Sequence, residues 1–180
     1  MTSAADVAEL LDRLDAAGVW YCVEGGWGVD ALLGEEIRPH SDLDLGVRMD
    51  EVDALRAAFP ELGRDDVDWP ASFVLHDGSR KLDCHPLVFD ERGDGFQARL
   101  GGGEPYRWPR EHLDARGRVG GREVRCITAE LQLRWHAYDG LDDVDWQDMQ
   151  RLCERFGLAV PEHLRERPGF VAGKRQPPLR

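Results

Sequence analysis

Residues 42–47 read Asp-Leu-Asp-Leu-Gly-Val. Leu43, Leu45 and Val47 alternate with Asp42, Asp44 and Gly46, the period of two that marks a half-buried strand. The apolar face of such a strand needs a second layer to cover it. The other face carries two carboxylates, two residues apart. Like charges this close repel unless a cation lies between them, and hard oxygen ligands of this kind suit magnesium, which shares its shell with water and substrate phosphates. Upstream, residues 19–23 (Val-Trp-Tyr-Cys-Val) are apolar, β-branched and aromatic, and Gly25-Gly26 ends the run. That pattern predicts a buried strand stopped by a turn. Residues 27–33 have helical spacing, and Gly34 suits the C-terminal cap. A glycine pair between strand and helix lets backbone approach a phosphate, and the helix N-terminus favours an anion. Gly25 and Gly26 are therefore read as a phosphate cradle, and Asp42 and Asp44 as metal ligands.

The rest of the chain supplies supporting layers and a third acid. Residues 4–17 place Val7, Leu10, Leu11 and Leu14 on one helical face. Residues 50–59 read as a second helix with Asp50 as N-cap, and residues 60–70 as an acidic connector. Two apolar runs, 72–76 and 80–89, flank Asp77-Gly78, a hairpin signal. In the second run Lys81, Asp83 and His85 share a face. Asp83 is the carboxylate to set beside Asp42 and Asp44, as a third metal ligand or as general base on an acceptor hydroxyl. His85 could hold Asp83, bind substrate or act as the base itself. In the loop 34–41, Arg38 and His40 just precede the acid pair, where such groups could meet a triphosphate. Further on, residues 96–99 read as an edge strand, 106–109 as an aromatic loop and 116–121 as a basic turn before a strand over 123–127. Thr128 suits the N-cap of a helix to residue 138. A final helix over 142–156 carries Met149, Leu152, Cys153 and Phe156 on one face, with Asp142, Asp143, Asp145 and Asp148 in its first turns.

The 180 residues bound one domain with a helical annex, and the formal net charge of −12 disfavours a nucleic-acid partner. An acidic chain suits a cationic small substrate. Cys22, Cys84, Cys126 and Cys153 form no C-x-x-C pair, so a structural zinc site is not expected, and three of them lie in apolar segments as buried thiols of a reducing cytoplasm. No signal peptide, long apolar run or lipidation motif is seen. Cytoplasmic location and no membrane partner are the expectations.

A glycine pair after a strand, a short helix, then D-x-D on the next strand resembles the polymerase-beta-like nucleotidyltransferase superfamily. The chain looks closest to the aminoglycoside 2″-adenylyltransferase and lincosamide nucleotidyltransferase group. The resemblance rests on GGWGVDALLG from Gly25, on RPHSDLDL from Arg38, on LDCHPLVFD from Leu82, and on a late Tyr…Asp…Asp…Phe-Gly pattern. It covers most of residues 5–160. The gap between glycines and acid pair is longer than in the general superfamily and similar to that of the antibiotic-modifying subgroup.

The resemblance implies an α/β (α+β) nucleotidyltransferase fold: a small mixed sheet backed by helices over residues 1–127, a C-terminal helical segment over 128–160, and a proline-rich tail over 161–180. It implies transfer of a nucleoside monophosphate, AMP from ATP foremost, to a hydroxyl of an aminoglycoside or lincosamide, with release of pyrophosphate. Mg²⁺ would sit on Asp42, Asp44 and Asp83; Gly25, Gly26, Arg38 and His40 would hold the nucleotide; and Asp83 would activate the acceptor. The C-terminal helices would help wall the acceptor site, with one or two of their acids on a substrate amine. Alternatives are a toxin-like transferase acting on protein or RNA, and a nucleotide-binding protein without catalysis. The subgroup includes monomers and homodimers. Glu24 departs from an ideal cradle: a carboxylate beside the phosphates would weaken binding unless it points away or meets a metal or an arginine.

Overall fold

The computed structural model describes residues 1–66, 68–137 and 142–162. Helix α1 (Ala4–Ala16) starts at Ser3, whose hydroxyl accepts from the Asp6 N–H while the Asp6 carboxylate accepts from the Ser3 N–H, a reciprocal capping box. Its Val7, Leu10, Leu11 and Leu14 are fully buried, each contributing about 1.5–3 kcal/mol of apolar burial. They pack on the apolar face of a sheet in which β1 (Tyr21–Glu24) and β2 (Leu43–Arg48) are antiparallel neighbours. Between them α2 (Gly25–Leu33) begins directly after β1 and closes on Gly34 in the left-handed conformation. The glycine pair is thus the first part of the helix and not a turn preceding it. Only glycine tolerates the φ of +57° at position 25 without strain.

A short 3₁₀ turn, Met49–Glu51, leads into α3 (Val52–Ala58). Asp50 does not cap that helix; its carboxylate accepts from Arg48. The expected connector contains an edge strand, β3 (Gly63–Asp65), paired with β4 (Phe73–His76). The hairpin joins β4 to the long β5 (Lys81–Phe89), which is parallel to β2 on its other side. The far half of β5 pairs with β6 (Gly95–Gln97), and β6 with β7 (Tyr106–Trp108), so the supposed aromatic loop is a strand with Trp108 buried. The supposed basic turn is also a strand: β8 (Ala115–Val119) pairs with β9 (Arg122–Cys126), and the turn is Gly120-Gly121. The order β3-β4-β5-β2-β1-β9-β8 gives one mixed sheet, with β6 and β7 branching from β5.

Helix α4 (Ala129–His136) is capped by Thr128, and α5 (Asp143–Phe156) by Asp142. Both pack on α2, with Val29, Ala129 and Leu152 in one apolar cluster. Met149 and Leu152 are fully buried, whereas Phe156 is exposed. Cys22, Cys84 and Cys126 are buried and Cys153 is half-buried. No helix among the described residues is long and apolar enough to cross a membrane. The expected tail over 161–180 lies almost wholly outside the described residues.

Candidate active site

The sheet register decides what faces what. Glu24 on β1 is opposite Asp44 on β2, and Asp44 is opposite Asp83 on β5. Because Leu43, Leu45 and Val47 turn into the α1 core, these carboxylates stand in a row on the opposite face, with Asp42 beside them at the foot of β2. Asp42, Asp44 and Asp83 are all half-buried, and each offers an oxygen within 4.8 Å of the others'. Three of the residues picked from the sequence are thereby brought together.

The charges in this row are not balanced. Partial burial and the neighbouring carboxylates of Glu24 and Asp42 push the Asp44 carboxyl up to about 8. Asp83 Oδ1 is buried without a hydrogen-bond partner. A crowded acid set with an orphaned oxygen fits a divalent cation, which would pull the Asp44 proton off and satisfy Asp83. One cation is built in. Lys81 Nζ donates to Asp42 Oδ2 at 2.8 Å and lies 3.6 Å from Asp83 Oδ2. Lys81 and the Ser41 hydroxyl hold Asp42 below the usual carboxylate range in spite of its burial.

Glu24 resolves differently from either expectation. It is 7 % exposed and meets neither an arginine nor open solvent; Glu24 Oε1 lies 2.7 Å from His85 Nδ1. The other ring nitrogen of His85 is 3.7 Å from Asp83 Oδ1. Burial opposes the charged imidazole, but Glu24, Asp83 and Asp44 raise His85 to about 9. The pair stations a positive ring beside the acid row.

The glycines make room for this arrangement. A Cβ on Gly25 would overlap the Asp44 carboxylate, and one on Gly26 would overlap His40 and the Arg38 guanidinium. No side chain caps the N-terminus of α2, so its N–H groups remain open to an anion. Arg38 and His40 belong to a buried chain. Arg38 donates to both oxygens of Asp148, at 3.2 Å from Nε and 2.7 Å from Nη2. Arg38 Nη1 also lies 3.0 Å from His40 Nδ1. An arginine can only donate, so Nδ1 accepts and Nε2 carries the proton to Asp30 Oδ2 at 2.5 Å. His40 also stacks on Trp27, ring centroids 4.5 Å apart. This chain ties the loop before Asp42 to α2 and to α5.

Sequence reasoning named Lys81, Asp148, Glu24 and His85 but did not foresee the contacts they make here. Lys81 was legible in its i, i+2 spacing from Asp83. Asp148 falls one turn before Leu152 on the buried face of α5, an unusual place for an unpartnered acid. The Glu24–His85 contact joins two strands, so no local pattern announces it. Beyond Asp83, the sheet face continues to Val74 on β4 and Asp65 on β3. There a cavity of about 470 Å³ opens, lined among others by Ser41, Asp65, Asp68, Val74, His76 and Lys81.

Comparison with known proteins points to one family. The family model described as aminoglycoside-2″-adenylyltransferase matches residues 6–152. A lincosamide resistance protein of Staphylococcus haemolyticus is 30 % identical over 146 residues, 79 % of this chain and 89 % of the relative. A 2″-aminoglycoside nucleotidyltransferase of Klebsiella pneumoniae is 26 % identical over 174 residues, 91 % of this chain and 93 % of the relative. Among solved structures, the lincomycin-bound lincosamide antibiotic adenylyltransferase LnuA superposes with a TM-score of 0.71 at 27 % identity, covering 81 % of this chain and 93 % of that one. The solution structure of the antibiotic-resistance factor ANT(2″)-Ia shares the fold, with a TM-score of 0.69, 23 % identity and coverage of 86 % and 84 %.

Proposed function

The chain belongs to the aminoglycoside-2″-adenylyltransferase family, and from that premise we propose that it transfers a nucleoside monophosphate, AMP from ATP, to a hydroxyl of an aminoglycoside or lincosamide antibiotic and releases pyrophosphate. The observation that carries the reading is the convergence of Asp42, Asp44 and Asp83 beside the uncapped start of α2. Asp42, Asp44 and Asp83 would hold Mg²⁺, which when bound would orient the triphosphate and neutralise charge on the leaving group. Backbone N–H groups at Gly25 and Gly26 receive the outer phosphates, with Arg38 and His40 flanking them. In-line displacement sets the attacking oxygen and the leaving pyrophosphate on opposite sides of phosphorus. With phosphates at α2, the acceptor therefore approaches from the β5–β4 side, where the cavity beside Lys81 has the size of a small-molecule seat. Asp83, through the carboxylate oxygen not given to the metal, would take the proton of the attacking hydroxyl as the new P–O bond forms and the bond to pyrophosphate breaks. Cysteine burial and the acidic composition support a cytoplasmic enzyme. The 2″-aminoglycoside and lincosamide relatives bracket the acceptor class.

The test is mass spectrometry of reactions with ATP, Mg²⁺ and a panel of lincosamides and aminoglycosides, with Asp42→Asn in parallel. A drug heavier by one AMP, made by the native protein and lost in the variant, is the expected result. Binding of Mg²⁺–ATP without modification of any drug would overturn the acceptor assignment and turn attention to a protein acceptor.

A further inference from the structure

Lys81 is a side chain that already does at Asp42 what a metal would do there. It stands on β5 two residues before Asp83, on the same face of the sheet, so the strand itself delivers it to the acid row. Its Nζ lies 2.8 Å from Asp42 Oδ2 and 3.6 Å from Asp83 Oδ2, spanning two of the three carboxylates that a divalent ion would share. The side chain is 40 % exposed, with Asp42 in contact, Asp83 close by and Asp44 acting on it through space. An ammonium on a long flexible stem can therefore leave the acids without leaving anything buried and unpaired. Asp44, in contrast, has Glu24 and Asp83 as its register neighbours and feels Lys81 and His85 only through space.

We propose that Lys81 is a tethered counter-ion that competes with the divalent metal: it neutralises Asp42 and Asp83 in the free enzyme, is displaced as the metal binds, and then presents its charge to the nucleotide's phosphates. An ammonium and a divalent ion on one carboxylate repel each other, so metal entry weakens the Lys81–Asp42 contact and that contact in turn opposes the metal. Once released, the ammonium stays at the rim shared with the neighbouring cavity, which Lys81 and Ser41 both line. From there it reaches an anion seated on the acids more easily than it reaches solvent-separated groups. The consequence is that metal and nucleotide assist each other: the metal alone must expel Lys81, whereas metal with nucleotide gives the expelled ammonium a new partner. This inference rests on the assignment of the three acids as the metal site.

The experiment measures Mn²⁺ binding by the loss of the free-ion EPR signal, without nucleotide, for the native protein, Lys81→Gln and Lys81→Arg. Removing a half-exposed ion pair should tighten Mn²⁺ binding in Lys81→Gln by roughly two- to fivefold, and Mn²⁺ should raise its Tm more than that of the native protein. Lys81→Arg should bind like the native protein. With ATP present the order reverses, and Lys81→Gln should show the weaker nucleotide affinity. If Lys81→Gln binds Mn²⁺ no more tightly than the native protein, Lys81 is not a competitor and the inference falls while the metal site stands. If neither the native protein nor Lys81→Gln binds Mn²⁺, the metal-site assignment falls and takes this inference with it. A melting curve without metal shows whether each variant is folded.

Discussion

Asp44 sits where three acids converge, and its surroundings oppose its own ionisation. It has carboxylates opposite it on both neighbouring strands and another two residues away on its own. Such a site is tuned for a ligand at the expense of the empty fold. Asp44→Asn should therefore raise the Tm of the metal-free protein by about 2–6 °C, since an amide escapes the cost of about 1–2 kcal/mol or more of neutralising a carboxyl that is ionised in the unfolded chain. The same variant should lose activity by at least about 100-fold, since even groups that only support metal ligands are worth 10- to 100-fold. Thermal melts in chelator, beside turnover with Mg²⁺, check both halves; a variant that loses Tm in chelator contradicts this argument. Gly25 belongs to the same balance. Its φ of +57° and the overlap of a Cβ with Asp44 both penalise Gly25→Ala. The expected cost is about 1–2 kcal/mol of stability together with weaker Mn²⁺ binding, read by denaturant titration and by EPR. Gly34→Ala, at a similar φ but with no atom within 4 Å of its Cβ, should cost stability and leave Mn²⁺ binding intact.

At the level of elements, α5 does more than cover α2. Its Asp148, with 1 % of its side chain exposed, receives the Arg38 guanidinium, and through His40 that contact fixes the loop that delivers Asp42. Asp148→Ala should cost about 2–3 kcal/mol, somewhat below the usual figure for breaking a buried pair because Arg38 is 27 % exposed. Arg38→Met should cost at least as much alone, and the double variant less than the sum, since each single change strands a charge. Chemical denaturation of the four proteins completes the cycle, and strict additivity would mean that the two residues are not coupled. How far such elements were legible follows from what each one packs against. α1, β2 and the β4–β5 hairpin bury one face, so their apolar periodicity announced them, and the three clustered acids came with β2 and β5. Gly63–Asp65 and Ala115–Val119 did not announce themselves. β3 lies at the sheet edge and buries almost nothing, while β8 passes so close under α2 that Gly117 has no room for a side chain beside Ala31. In β8 the alternation of Ala115, Gly117 and Val119 with Arg116 and Arg118 is present, but two of the three inward residues are too small to mark an apolar face. The links among Glu24, His85, Arg38 and Asp148 stayed hidden for the related reason that each is a register or docking contact between distant segments.

For the whole molecule, the relevant quantity is the field that substrates meet before they touch the site. With a formal net charge of −12, the field of the chain attracts a polycation and repels a polyanion such as a nucleoside triphosphate. The local geometry counters that repulsion only at short range, through Lys81, Arg38 and the start of α2. Added salt shortens the Debye length from about 10 Å at 0.1 M to about 3 Å at 1 M, which screens the long-range field more strongly than the contacts. The two substrates should therefore respond in opposite senses. Between 0.05 and 0.5 M NaCl, KM for a polycationic acceptor should rise by about threefold or more, while KM for Mg²⁺–ATP should stay level or fall. A monocationic lincosamide should show only a small rise. Steady-state kinetics with each substrate varied in turn, at fixed free Mg²⁺, measures all three slopes. Parallel rises for nucleotide and acceptor would mean that contacts in the site, and not the charge of the chain, govern both encounters.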